Sequence, residues 1–177
     1  LMYKLFSIAG YDKNAVDDYK TGEVENLEVD GLKDYREDLK LTYDFSDNEN
    51  FTFVGDKIFF SPVLIKHIDE NPFKLEKRVF PVELVAPIAH SYTYNIKIPE
   101  GYELEEMPES VNLALPNKGG RFMFMTNKAS ENEIQIFMKV NLFKTQYLPE
   151  EYSALKELFN LIIAKQQEQV VLKETTE

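Results

Sequence analysis

Two histidines, His67 and His90, are the only imidazoles in this 177-residue chain, and cysteine is absent. A zinc site needs such side chains in spaced sets, and neither histidine has a second ligand at i, i+4. His67 precedes Ile68-Asp69-Glu70, so a metal ligand set is conceivable there; a loop histidine explains it as well. Asp44, Asp47, Asn48, Glu49 and Asn50 gather oxygen ligands into what reads as one loop. A calcium loop wants them at alternating positions with a glycine for the sharp turn. Here the glycine is missing and the spacing is off, so turn chemistry between strands is the better account. Glu103, Glu105, Glu106 and Glu109 could supply a glycosidase-type pair, which needs two carboxyls facing each other across a cleft at about 5 to 9.5 Å. Close neighbours on a turn-rich strand do not give that geometry, whereas charges there discourage edge pairing. Asn117-Lys118-Gly119-Gly120 lacks the GK[ST] ending of a phosphate loop and reads as a hairpin turn. None of Ser7, Ser46, Ser61, Ser91, Ser110, Ser130 or Ser153 sits in a G-x-S-x-G setting. Tyr92, Tyr94 and Tyr102 could form an aromatic platform for a glycan or peptide. The phase of Tyr92 and Tyr94 matches Ile96 and Ile98, which turns them towards a core instead. The residues themselves therefore assign no catalytic, cofactor-binding or metal-ligating position.

The elements that would carry these side chains are mostly strands. Residues 2–20 read as a short helical leader, with Tyr11, Ala15 and Tyr19 at i, i+4 and a break at Gly10. The period then becomes two. A weak strand at Val24–Val29 is followed by Leu39, Leu41, Tyr43 and Phe45 alternating with polar residues. Phe51–Phe53 and Ile58–Phe60 flank a Gly55-Asp56 hairpin turn. Val79–Val85, interrupted by Pro81, suits an edge or bulged strand. Tyr92–Ile98, Val111–Leu115, Phe122–Met125 and Ile134–Leu142 continue the pattern. Phe137 and Phe143 oppose the Ile134–Leu142 stripe, so that strand is expected to be covered twice, by a second sheet and by a helix on its other side. Pro149 marks a first helical residue, with Glu150 and Glu151 suited to a helix N-terminus. Tyr152, Leu155, Leu158, Phe159, Ile162 and Ile163 then make one apolar stripe, and Val170–Leu172 adds a short strand. The expected fold is mainly β: an antiparallel β-sandwich, immunoglobulin-like or related, with one packed C-terminal helix at about 149–168. The leader or linker would occupy 1–22 and the sandwich domain 23–177.

Composition narrows the function classes. The formal charge is −11, from 31 acidic against 20 basic residues, so nucleic acid and anionic membrane surfaces are poor partners. No apolar run approaches the roughly 18 residues of a membrane span. Without cysteine there are no disulfides, thiolate metal sites or thiol nucleophiles, and the compartment stays open. The chain opens at Leu1-Met2 inside an amphipathic pattern, which reads as a piece cut from something longer.

An ordered set of phrases runs through residues 71 to about 173: Asn71-Pro72-Phe73-Lys74, Glu76-Lys77-Arg78, Phe80-Pro81-Val82, and Ile98-Pro99-Glu100-Gly101-Tyr102. Ala114-Leu115-Pro116-Asn117, Leu148-Pro149-Glu150-Glu151-Tyr152 and Ala164-Lys165-Gln166 follow. Together they resemble the C-terminal β domain of unknown function in bacterial transglutaminase-like proteins, which carry an N-terminal β domain, a papain-like core and this module. The resemblance implies an upstream domain of the same parent chain as a partner and a periplasmic or cell-surface location. Such a core works through a Cys-His-Asp arrangement, in which a thiolate attacks an amide. No residue here matches that motif, so no catalytic role transfers and no cofactor is implied. The expectation is a non-catalytic accessory domain that supports or orients the core or binds a partner. A stand-alone carbohydrate- or protein-binding module is the alternative and would need Tyr92, Tyr94 and Tyr102 exposed in a groove. A carboxylate hydrolase would need two acids converging in a cleft, with raised pKa values.

Overall fold

A computed structural model of the chain describes residues 23–31, 40–46, 50–63 and 68–175. The expected helical leader and His67 lie outside them. The chain falls into two compact units, Leu1–Asn50 and Phe51–Glu177. The first contains an antiparallel pair, β1 (Glu23–Asp30) and β2 (Lys40–Ser46), in register from Glu23 opposite Ser46 to Asp30 opposite Lys40. The ladder shifts between Glu25 and Glu28, around Asn26 at a left-handed φ of 52°. A bulge of this kind adds a residue to one strand and bends it.

The second unit is mainly β and antiparallel. It begins with β3 (Phe51–Val54) and β4 (Lys57–Phe60), paired around Gly55 at φ 61°, as the Gly-Asp turn leads one to expect. Then come β5 (Val82–Glu83), β6 (Ile88–Lys97), β7 (Tyr102–Glu106), β8 (Val111–Ala114), β9 (Gly120–Ser130), β10 (Glu133–Leu142) and β11 (Gln146–Tyr147). A helix, α1 (Tyr152–Gln167), and β12 (Val170–Glu174) close the chain. One four-stranded sheet runs β6-β10-β9-β8, another β3-β4-β12-β7, and β5 and β11 make a separate two-stranded ribbon.

Alternation decides what each strand buries. On β10, Ile134, Ile136, Met138, Val140 and Leu142 are all buried, while Gln135 is exposed and Phe137, Lys139 and Asn141 are half-buried. The two ends of this single inward face meet different elements. Near Ile134 and Ile136, their partners Ile96 and Tyr94 line one cavity with Ile58, Phe60 and Leu172 of the second sheet. Near Met138 and Val140, the sheet faces Phe159 and Ile162 of α1. Sheet and helix thus divide one face between them. The expected double covering of this strand is therefore corrected: Phe143 lies beyond the strand and is 54% exposed.

Helix α1 buries the stripe Tyr152, Leu155, Leu158, Phe159 and Ile162. Pro149 starts a single 3-10 turn that leads into it, where a missing N–H has no helical partner to lose. The Asn71-Pro72-Phe73 phrase clasps its outer side. Asn71 Nδ2 donates to the Lys156 carbonyl at 2.9 Å and to Asn160 Oδ1 at 2.7 Å, and its Oδ1 accepts the Phe73 N–H at 2.8 Å. Phe73 then meets Tyr152 and Phe159 edge-on, at centroid distances of 5.8 and 5.0 Å.

Candidate functional site

The polar chemistry of the second unit concentrates at the start of α1. Glu151 is 7% exposed, a rare position for a carboxylate unless it is partnered. It accepts hydrogen bonds from Lys144 Nζ, from the Leu148 N–H at 3.0 Å and from Asn117 Nδ2 at 3.3 Å. Three segments are tied by this one side chain: the turn before β9, the loop after β10, and the helix entry. Asn117 reaches it from a left-handed backbone (φ 53°), a conformation asparagine tolerates better than most residues. Beside it the buried Tyr147 donates its hydroxyl to the Gly119 carbonyl at 2.6 Å, and burial raises that phenol's pKa.

The Lys144 ammonium, hydrogen-bonded to the carboxylate, is the chief reason that Glu151 ionises below the usual carboxylate range; the Leu148 N–H adds to it and burial opposes it. A folded-state pKa below the unfolded one contributes stability above the unfolded value and loses it as pH falls through the folded value. Glu151→Gln should therefore cost about 2 kcal/mol at pH 7, by leaving a Lys144 charge unpaired. The difference between variant and parent should shrink as pH is lowered below the ordinary carboxylate range. Urea titrations at pH 7 and pH 3 measure it; a gap that stays constant between them would remove this role.

The other candidate residues are not brought into one site. His90 stands on the β6 edge opposite Val140, its ring 6.2 Å from that of Tyr92, beside a cavity of about 290 Å³ lined mainly by Ile68, Ile88, Met138, Phe159 and Ile162. Among the described residues no group of three His, Cys, Asp or Glu could hold a metal ion. Asp44, expected in a loop, lies in β2 opposite Glu25; Asp47, Asn48 and Glu49 lie outside the described residues.

The acidic run behaves as strand alternation dictates. Glu105 pairs with Lys57 at 2.7 Å, and Glu103 stands opposite Lys173. Glu106 and Glu109 line a cleft of about 540 Å³ with Glu168 and Lys165. Lys165, 8% exposed, bridges that cleft by donating to Glu168 and to the Glu109 carbonyl, with Phe124 under its ammonium at 5.9 Å. Sequence reading missed Lys165, Gln166 and the buried role of Glu151; the available signal for the first two was their spacing, three and four residues after Ile162, which continues the stripe's face. Asn117–Gly120 does turn β8 back onto β9, through a 3-10 turn at Pro116–Lys118. Ser61 Oγ donates to the Gln166 carbonyl, and Ser110 bonds Thr126. Tyr92, Tyr94 and Tyr102 are half-buried and packed against the core; Tyr92 lines the cavity beside His90, and Tyr94 lines the one of about 660 Å³ between the sheets.

Comparison with known proteins adds a family. One solved structure with similarity is described as that of "a putative protease" from Parabacteroides distasonis ATCC 8503. It shares 22% identity at a TM-score of 0.48, over 56% of this chain and 19% of that one. No curated protein matches. Residues 56–172, from the β3–β4 turn to the middle of β12, match the family described as a domain of unknown function with solved structure, and the chain belongs to that family, DUF3858.

Proposed function

We propose that this is a non-catalytic accessory domain of a larger transglutaminase-like protein, exported to the periplasm or cell surface, which supports or orients a cysteine-dependent core. In this reading its two four-stranded sheets form a β-sandwich, with α1 filling the half of the long sheet that the short one leaves free. The observation that carries the reading is how the chain's polar side chains are engaged. Glu151, Lys165, Asn71 and Tyr147 are each bonded to backbone carbonyls or N–H groups that fix turns and helix ends. A nucleophile or general base needs a partner poised on a reacting atom instead. The absence of cysteine supports the same view, because a thiolate mechanism has no thiol to run on.

The test is the coding sequence upstream of Leu1. The expected finding is a papain-like core with a cysteine, a histidine and an aspartate in order. An upstream sequence without a cysteine-bearing core would sink the proposal. For the binding-module alternative, Tyr92, Tyr94 and Tyr102 are half-buried, and Tyr94 lines a cavity of about 660 Å³ together with Phe51, Phe53 and Phe60.

A further inference from the structure

The cavity between the two four-stranded sheets holds about 660 Å³, within the roughly 300 to 1,000 Å³ of ligand pockets. Ile58, Phe60 and Leu172 are its buried floor, while Phe51, 37% exposed, and Phe53, 70% exposed, leave one wall open. The facing wall is β6, from Tyr94 to Lys97. Among the described residues β3 and β6 are the outermost strands of their sheets, so two strand edges flank the opening.

Register fixes which main-chain groups reach that opening. In an antiparallel ladder, opposed residues alternate between exchanging two hydrogen bonds and exchanging none. The Ile98 N–H donates to the Asn132 carbonyl at 2.9 Å, continuing the register that sets Lys97 opposite Glu133. Tyr94 and Ile96 are therefore the residues bonded to β10, and the N–H and C=O of Asn95 and Lys97 turn towards the edge. Side chains alternate as well, and Asn95 Oδ1 accepts from Gln135 Nε2 at 2.9 Å on the outer face. What these two residues give the cavity is main chain. On the other sheet, the Glu174 N–H donates to the Asp56 carbonyl at 2.7 Å, which extends the β12–β4 register. Ile58 and Phe60 thus bond to β12, and Lys57 and Phe59 bond to Val54 and Thr52 of β3. Phe51 and Phe53 are left with outward main-chain groups, and none of these four edge residues has a backbone partner there among the described residues.

Edges are ordinarily guarded by charge, proline or a bulge. β3 reads Phe-Thr-Phe-Val with none of these, and the β6–β10 ladder runs without a shift. Lys97 is the one charged lining residue among those described and makes no ion pair among them, in a chain of net charge −11. A lipid or aromatic small molecule would cover the apolar walls and leave the main-chain groups unmet. An extended peptide answers both, with hydrogen bonds to the edge and alternate side chains in the cavity.

We propose that this cleft binds an extended peptide segment of a partner protein, which adds as a strand beside Asn95 and Lys97 of β6. Its bulky apolar side chains enter the cavity at alternate positions, and an acidic residue pairs with Lys97. The proposal concerns the 177-residue chain itself and is independent of the accessory-domain reading.

The probe is a phage-displayed library of short random peptides, selected on the immobilised 177-residue chain. Enriched peptides should alternate apolar with polar residues, carry an acidic residue, and bind as synthetic peptides. Asn95→Pro removes a main-chain donor that faces the edge, a place where strands accept proline. Phe53→Ala removes an exposed ring from the cavity wall, and Phe80→Ala, at a similarly exposed ring that does not line it, is the control. The first two should each weaken binding about tenfold or more, and the control should leave it unchanged. Should Asn95→Pro melt far below the parent, peptides N-methylated at alternate residues replace it, since they lose the same main-chain bonds. A library without alternating sequences, or peptides indifferent to both variants, would overturn the proposal. Binding that needs Phe53 but tolerates Asn95→Pro or N-methylation would contradict strand addition and leave a pocket for small apolar ligands. A dimer in sedimentation that both variants dissolve would assign the edge to a second copy instead.

Discussion

Phe124→Ala should cost about 4 kcal/mol of folding stability, the largest effect expected from a single truncation in this chain. Phe124 is 0% exposed on β9 and lies on the same inward face as Phe122. It stands between the β6-β10-β9-β8 sheet and the C-terminal half of α1, with the Lys165 ammonium 5.9 Å from its ring centre. Removal leaves a cavity whose walls are a hydrogen-bonded sheet and a helix, neither of which can collapse without breaking ladder bonds. The cost therefore combines lost transfer free energy with an unfilled volume. A fall in melting temperature of roughly 10 °C corresponds to it. Urea unfolding with an unchanged m-value would give the free energy directly; a loss under about 1 kcal/mol would show that the sheet and helix do not share this core.

Gly120→Ala comes next, at about 2 to 3 kcal/mol, and for the opposite reason. A Cβ at Gly120 would lie 2.5 Å from the Asn141 carbonyl oxygen, with Leu142 Cδ2 at 3.0 Å and Leu115 Cδ1 at 3.2 Å. Gly120 is paired with Leu142 at the end of the β9–β10 ladder, and its own carbonyl accepts the Leu115 N–H. The Asn141 backbone blocks the Cβ on one side and the Leu142 and Leu115 side chains crowd it on the other, so the strands must part. Gly55→Ala is the useful contrast. Its Cβ would meet nothing within 4 Å, and only the left-handed φ of 61° resists it, at about 1 to 2 kcal/mol. Chemical denaturation of the two variants should rank Gly120→Ala as the more damaging. The reverse order would mean that β9 and β10 are not packed in this register.

Much of this architecture was legible because period-two alternation is a local property. The stripe Ile134–Leu142 and the stripe Tyr92–Ile98 each fell on one face as read, and Tyr92 and Tyr94 turned inwards with them. The helix after Pro149 was equally plain. What alternation does not carry is which element covers a face. Helix and second sheet share the even-numbered side of β10, because a ten-residue strand is long enough to meet both in turn. Val79–Val85 read as a strand from its apolar letters, yet only Val82–Glu83 pairs and most of the rest is exposed. Apolar composition alone does not imply burial. Glu151 looked like a residue for the helix dipole. Its full role depends on Asn117 and Lys144, which only the fold brings beside it.

The candidate chemistry was legible mostly as a set of mismatches. His90, the Glu103–Glu109 run and the Asn117–Gly120 turn each lacked one ingredient of the motif they suggested, and each takes a local structural place in the fold. Glu106 and Glu109 do share a cleft, with Lys165 bridging it.

The most direct measurement of the central claim is made on the parent protein with and without residues 51–177. Its melting temperature and its turnover of a glutaminyl-peptide amide would be followed together. The accessory-domain account predicts that removal lowers the core's melting temperature or its turnover, while the added 177-residue chain alone shows no turnover. An unchanged core, or activity in the isolated chain, would contradict it.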